Sequence, residues 1–355
     1  MMSPPLSHSE QLRGCLLGTA IADALGLPYE GLSPRRALKL LGPPNRFRLI
    51  GSYGMVSDDT EHACITAQAI IASGGNKAIF QRQMAWRLRF WLLGLPAGVG
   101  LATLRALVKL WIGFSPKYSG VFSAGNGPAM RSPILGAAIS DREQLRAWVR
   151  ISTCVTHTDP KAEQGAWVIA LATRLVCEQK TVTPQQFLTE IEKSFNSETP
   201  ELVTLLQQTV ASIEKGESTQ AFAQSLGLER GITGYMLHTV PMVIHAWFSH
   251  PSDYPGAIQS LIECGGDADS TAAITGGILG ASLGEAAIPE QWLTHLAEWP
   301  RTTDWMRQLA EQLALAVETG QRLKSLSLPW PAIILRNLWF LLVVLSHGFR
   351  RLIPT

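Results

Sequence analysis

Residues 265–282 read GGDADSTAAITGGILGAS: a pair of carboxylates followed at once by an apolar run. Residues 271–282 carry no charge and read as a buried helix. Ala272, Gly276 and Gly280 recur at every fourth position, drawing a stripe of small residues along one side. Glycine costs about 1 kcal/mol relative to alanine inside a helix, so two on one face indicate that another helix backbone comes close. Asp267 and Asp269 then stand at the N-terminus of a central helix, where the dipole and the free N–H groups favour carboxylates. Gly265-Gly266 ahead of them permits a sharp turn or a close approach to a ligand.

Ser57-Asp58-Asp59-Thr60 repeats the arrangement, again ahead of an apolar run. Alone, such a segment reads as a solvated helix cap. Two of them, each leading into a core helix, point to one shared cation site, because buried carboxylates need neutralising. Four carboxylates with the flanking hydroxyls form an all-oxygen donor set. It suits magnesium or manganese better than zinc or copper.

Helical patterns fill the rest of the chain. Residues 11–25, 60–72, 78–93, 240–248, 254–263 and 304–323 show helical spacing. Thr183-Pro184-Gln185-Gln186 supplies an N-cap, a proline at the first position and a glutamine at the third. Thr199-Pro200 repeats the cap and proline. Residues 47–50 are the best strand candidate, and the expectation is an all-α bundle.

The chain has 355 residues, 46% hydrophobic and 16% charged, with a net charge of +2. That indicates a large core and, with no basic block, argues against nucleic acid as the main partner. The five cysteines are scattered without a CxxC pair, as expected of buried free thiols in a reducing compartment. The first residues contain no apolar stretch of signal-peptide length, so a cytoplasmic location is expected.

The tail, PAIILRNLWFLLVVLSHGFRRLIPT, reads differently. Its longest unbroken apolar run has eight residues, 338–345, against the roughly 20 that a span needs. Two readings stay open for the stretch between Ala332 and Arg351. In one, a helix lies in a membrane surface, with Trp339 at the boundary and Arg350 and Arg351 at lipid phosphates. In the other, it covers an apolar groove on the domain or on a second subunit. The domain division expected is 1–325 and 326–355, the second part being a linker and this helix.

Three more segments carry chemistry. Residues 13–30 form a small-residue helix ending in an acidic, glycine-containing turn with Asp23 and Glu30. Residues 125–131, GNGPAMR, form a glycine-rich loop whose backbone N–H groups suit an anion, with Ser123 and Asn126 as further donors. Thr156-His157-Thr158-Asp159-Pro160 precedes another helix. In this order the five segments resemble the ADP-ribosylglycohydrolase family, which includes the dinitrogen-reductase-activating glycohydrolases. Thr233-Gly234-Tyr235 with His238-Thr239-Val240-Pro241 is similar to the family's segment before its last motif.

The resemblance implies a compact orthogonal helical bundle with two magnesium ions in a cleft, manganese being the alternative. Ser57, Asp58 and Asp59 match one metal-ligand set, and Asp267, Asp269 and Ser270 match the other. Glu30 matches an acidic position near the scissile bond. Gly125, Asn126 and Gly127 match the loop that holds the diphosphate, and His157 and Tyr235 match cleft positions. Glu30, Asp58 and Asp59 are the candidate catalytic carboxylates, unranked. Asp23 either bridges helices or belongs to the site, and His157 either positions a loop or touches the ligand. Trp86 and Trp91 read as a helix face in preference to an adenine platform.

Ser57 and Ser270 stand where threonine is usual, Ala22 where glycine is, and Ala268 where threonine is. Glu61-His62 is unusual for the family and is expected to alter the cleft rim. The expected activity is magnesium-dependent release of ADP-ribose from a modified target, with arginine on a protein foremost and small-molecule ADP-ribose conjugates as alternatives. The rivals are a non-catalytic ADP-ribose-binding protein and a structural helical protein whose acidic clusters are caps.

Overall fold

The computed structural model describes residues 5–179, 181–195 and 200–352. Among these described residues seventeen α-helices follow one another. The first eight are α1 (His8–Gly26), α2 (Pro34–Leu41), α3 (Asp58–Ser73), α4 (Lys77–Leu93), α5 (Leu101–Trp111), α6 (Ser132–Ala138), α7 (Arg142–Cys154) and α8 (Pro160–Glu178). Then come α9 (Pro184–Ser194), α10 (Glu201–Glu214), α11 (Thr219–Ser225), α12 (Met236–Ser249), α13 (Tyr254–Ile262) and α14 (Ala268–Leu283). α15 (Glu290–Thr294), α16 (Thr303–Thr319) and α17 (Trp330–Leu352) close the order. Among the described residues there are isolated β-bridges and no strand. The strand expected at 47–50 reduces to one bridge, between Ile50 and Tyr53.

The axle of the fold is α1 against α14. Every residue of α1 from Gly14 to Gly26 is buried, so this part of the helix has no solvent face. The small-residue stripe performs the role its spacing implies. A Cβ on Gly276 would lie 2.3 Å from the carbonyl oxygen of Gly18, leaving no room for a side chain. Tyr254 of α13 ties in from the side, its hydroxyl donating to the Gly18 carbonyl at 2.6 Å. α3, α8, α12 and α16 pack around this pair.

Local chemistry sets the helix ends. Ser7 with Glu10, and Thr183 with Gln186, form capping boxes. Thr199 lies outside the described residues, and Pro200 takes the N-cap position of α10. α16 ends at Thr319, four residues short of the expected 323, capped by Gly320, whose φ of 64° is left-handed. α12 begins at Met236, ahead of the expected 240, and carries Pro241 in its first turns.

α17 lies along the domain. Phe340 joins Leu27, Leu49 and Met55 in a small apolar cluster. Asn337 donates to the Gly94 carbonyl at 2.7 Å. Arg336 reaches a buried network in which Glu61 and Glu298 face Arg301 and Arg336. One face of the helix therefore covers a groove on its own domain. The side chain of Arg350 lies outside the described residues.

Candidate active site

The N-terminal turns of α3 and α14, and the turn that follows α1, converge on one cleft of about 560 Å³. Glu30, Asp58, Asp267, Asp269 and Ser270 line one part of it. Ser123, Gly125, Asn126, Gly127 and His157 line another. Ser57 and Asp59 are buried beneath the surface of the first group.

Backbone crossings fix the carboxylates. Gly31 donates to Gly266 O at 2.7 Å and Gly266 donates to Leu32 O at 2.8 Å. Asp267 donates to Ile232 O at 2.7 Å. Gly266 has φ +80°, and a Cβ there would lie 1.9 Å from Ile232 O. Only glycine allows three chain segments to cross here.

Hydrogen bonds join the two acidic segments. Ser57 Oγ and Ser270 Oγ both donate to Asp59 Oδ2 at 3.1 Å. Asp23 accepts from Ser57 N at 3.0 Å, Thr60 N at 3.2 Å and the Thr60 hydroxyl. It thereby holds the first turn of α3 in place. One carboxylate oxygen each from Asp23, Asp59 and Asp269 lies within 4.8 Å of the other two. Asp23 thus bridges α1 to α3, and one of its oxygens lies within the acidic cluster. Its signal was an aspartate inside a helix of otherwise small and apolar residues.

Burial pushes the carboxyls of Asp58, Asp59 and Asp269 well above the usual carboxylate range, and neighbouring negative charges add to this. Burial also raises Glu30, with Asp267 contributing, and it raises Asp267 itself. Asp23 rises to about 6, burial outweighing its hydrogen bonds. Such a cluster ionises only with positive charge beside it. Asp59 Oδ1 is buried with no hydrogen-bond partner. The orphan oxygen and the all-oxygen donor set fit a hard divalent cation.

The glycine loop packs on the imidazole of His157. A Cβ on Gly125 or Gly127 would meet that ring at 3.2 and 3.1 Å. Thr156 Oγ1 sits 2.9 Å from His157 Nδ1 and accepts from the fully buried Arg131 at 2.8 Å. Burial, then the Arg131 charge, lowers the His157 pKa to about 3, so the ring is neutral.

Three expectations change. The side-chain amide of Asn126 donates to Asp267 Oδ2 at 2.6 Å and to Thr239 Oγ1 at 3.0 Å. It fixes a carboxylate in place, and both its N–H groups are used. Tyr235 directs its hydroxyl to Lys161 Nζ at 2.8 Å, and only its backbone pairs with Gly125. It is not among the residues lining the cleft. Glu61 and His62 are not at the cleft rim. Glu61 accepts from Trp91 Nε1 at 2.6 Å in the buried network under α17, and His62 packs edge-on against Trp91. Trp86 is exposed on α4, and neither it nor Trp91 lines the cleft.

The sequence model of the ADP-ribosylglycohydrolase family matches residues 4–322, ending before α17. A protein of Archaeoglobus fulgidus is 30% identical over 312 residues, 86% of this chain and 96% of its own length. The ADP-ribosyl-[dinitrogen reductase] glycohydrolase of Rhodospirillum rubrum is 25% identical, over 89% of this chain and 99% of the relative. Human ADP-ribosylhydrolase ARH3 is 26% identical, over 79% and 88%. A solved structure described as an ADP-ribosylglycohydrolase-related protein complex shares the fold. Its TM-score is 0.65 at 24% identity, covering 87% of this chain and 99% of the other. With a crossed-loop carboxylate cleft and a family match over nearly its whole length, the chain belongs to the ADP-ribosylglycohydrolase family, hydrolases of the glycosyl bonds of ADP-ribose.

Proposed function

We propose that this enzyme releases ADP-ribose from an arginine side chain of a modified protein, with two magnesium ions as cofactor. The observation that carries this reading is the buried carboxylate cluster opposite a glycine loop in one cleft. Ser57, Asp58, Asp59, Asp267, Asp269 and Ser270 would hold the ions, with Asp23 behind them. Bound there, divalent ions supply positive charge for the ribose hydroxyls and lower the pKa of a bound water.

The chain's own groups do the rest. In the 125–127 loop, backed by the neutral ring of His157, the Asn126 N–H is bonded to Gly234 O and the Gly125 N–H to Ser123 Oγ, so the Gly127 N–H is the backbone donor offered to the diphosphate. Cleavage of the glycosidic bond develops oxocarbenium character at the anomeric carbon. Glu30, at the cleft wall, stabilises that positive charge or exchanges a proton with the leaving nitrogen. Its pKa is raised by burial and by Asp267, which suits a group that must hold a proton for part of the cycle.

The test is release of free ADP-ribose from arginine-linked and serine-linked peptides, with magnesium and with chelator. Release from the arginine peptide, lost with chelator and in Asp58→Asn/Asp267→Asn, is the expected result. Preference for the serine peptide would reassign the linkage. Retained ADP-ribose binding without release from any conjugate would replace the hydrolase by a binding protein.

A further inference from the structure

Charge is unevenly distributed along this chain. Residues 31–57, 62–140 and 319–355 hold 18 of its 30 Lys and Arg and none of its 28 Asp and Glu. A net charge of +2 conceals that division. Exposed apolar surface follows the same division. Of the large hydrophobic residues exposed among the described residues, all but Trp299 and Leu315 lie in these three segments.

The fold joins the segments. Phe90 of α4 lies 4.7 Å from exposed Trp86, 6.0 Å from Trp111 of α5 and 6.2 Å from Trp330 at the start of α17, between ring centroids. Further along α17, Phe340 packs on Leu49 and Met55, and the Arg36 guanidinium reaches the Arg351 carbonyl at 2.6 Å. The opposite side of α17 is open: Leu335, Leu338, Trp339, Leu342, Leu345 and Phe349 are each between 44% and 68% exposed. Exposed Arg82 and Arg105 stand among the exposed apolar residues of α4 and α5, and exposed Lys117 follows α5.

We propose that this face docks on an anionic lipid surface, with α17 lying in the plane of the interface. An apolar, aromatic-rich side flanked by Lys and Arg is the composition that binds membrane surfaces. Each Lys or Arg brought to an anionic leaflet adds about 1 kcal/mol of attraction, and no carboxylate of these segments opposes it. A second copy of the chain is the poorer occupant, because a two-fold interface would set this basic face against itself. Insertion of α17 across a bilayer is the other alternative. Residues 330–349 are long and apolar enough to cross one by length and composition. Insertion, however, would strip Arg336 from Glu298 and Val56, and Asn337 from Gly94. The proposal does not depend on which bond the cleft cleaves.

Purified full-length protein is sedimented with vesicles of phosphatidylcholine alone and of phosphatidylcholine mixed with phosphatidylglycerol. The expected result is binding to the mixed vesicles only, weakened by salt. Arg82→Gln/Arg105→Gln/Lys117→Gln should lose about tenfold or more in affinity. Leu338→Asp/Leu342→Asp should abolish binding while melting at the wild-type temperature. Three results would each overturn the proposal. One is no binding, or equal binding, to the two vesicle types. Another is a concentration-dependent dimer, without vesicles, that Leu338→Asp/Leu342→Asp dissolves. The third is membrane association in cells that resists alkaline carbonate extraction.

Discussion

Gly14 of α1 and Gly280 of α14 meet backbone to backbone, so that a Cβ on either would lie 2.0 Å from the carbonyl oxygen of the other. Alanine there must push apart two helices whose ends carry the site. Gly280→Ala is therefore expected to destabilise by about 3 kcal/mol or more, at or beyond the upper end of overpacking costs. Intrinsic helix propensity alone would make it stabilising. Gly348→Ala on α17, where nothing lies within 4 Å, provides the contrast and should be neutral or slightly stabilising. Urea unfolding of both variants checks the pair.

Asp59 has one oxygen without a partner and sits among Asp23, Asp58 and Asp267. Without metal, these raised carboxyls bind more protons folded than unfolded above the ordinary pKa of 3.8. The metal-free protein should thus lose stability as pH rises from about 4. Asp59→Asn should melt higher than wild type in chelator and gain little from magnesium. Wild type should gain about 2.7 kcal/mol at a hundredfold excess over Kd. Calorimetry with and without magnesium at several pH values reads both effects.

Glu298 neutralises two buried guanidiniums, Arg336 at 2.8 Å and Arg301 at 3.4 Å. Glu298→Gln leaves positive charge buried against a single carboxylate, Glu61. A cost of about 3–5 kcal/mol is expected, as for breaking buried pairs generally. Because Arg336 belongs to α17, proteolysis in the 320–329 segment should accelerate as well. Glu298→Met/Arg336→Met should cost less than the sum of the single changes, a comparison that denaturant midpoints supply.

His245 is fully buried, stacked on Phe222 with ring centroids 4.7 Å apart, and surrounded by the hydroxyls of Ser212, Thr219 and Ser249. Burial lowers its pKa to about 4. Between the ordinary histidine value near 6.5 and that figure, the unfolded chain binds the extra proton. The contribution of His245 to stability is complete above pH 6.5 and is lost as pH falls toward 4. It should amount to about 2 kcal/mol between pH 7.5 and pH 5. The difference in stability between wild type and His245→Gln should narrow by that amount over the interval, measured by urea unfolding.

Much of this molecule was legible in its sequence, for physical reasons. The every-fourth-residue glycine stripe announced the α1–α14 contact because only small side chains permit it. The acidic clusters announced the cleft because carboxylates beside apolar helices require neutralising. What stayed hidden depended on three-dimensional pairing. Asn126 looked like a phosphate donor until its amide was seen committed to Asp267 and Thr239. Glu61 looked like a rim residue because its neighbour Asp59 faces the site. On a helix two positions rotate a side chain by about 200°, which turns Glu61 toward Arg301. The buried join of α17 rests on Arg336 and Asn337, which in sequence merely interrupt an apolar run.

The far end of α17 reaches the opposite end of the chain. His347 bonds to the Pro28 carbonyl at 3.0 Å, and Arg351 donates to the carbonyls of Pro28 and Glu30. Removing α17 would strip the turn that carries Glu30 of these bonds, so this helix acts as an outer brace for the cleft wall.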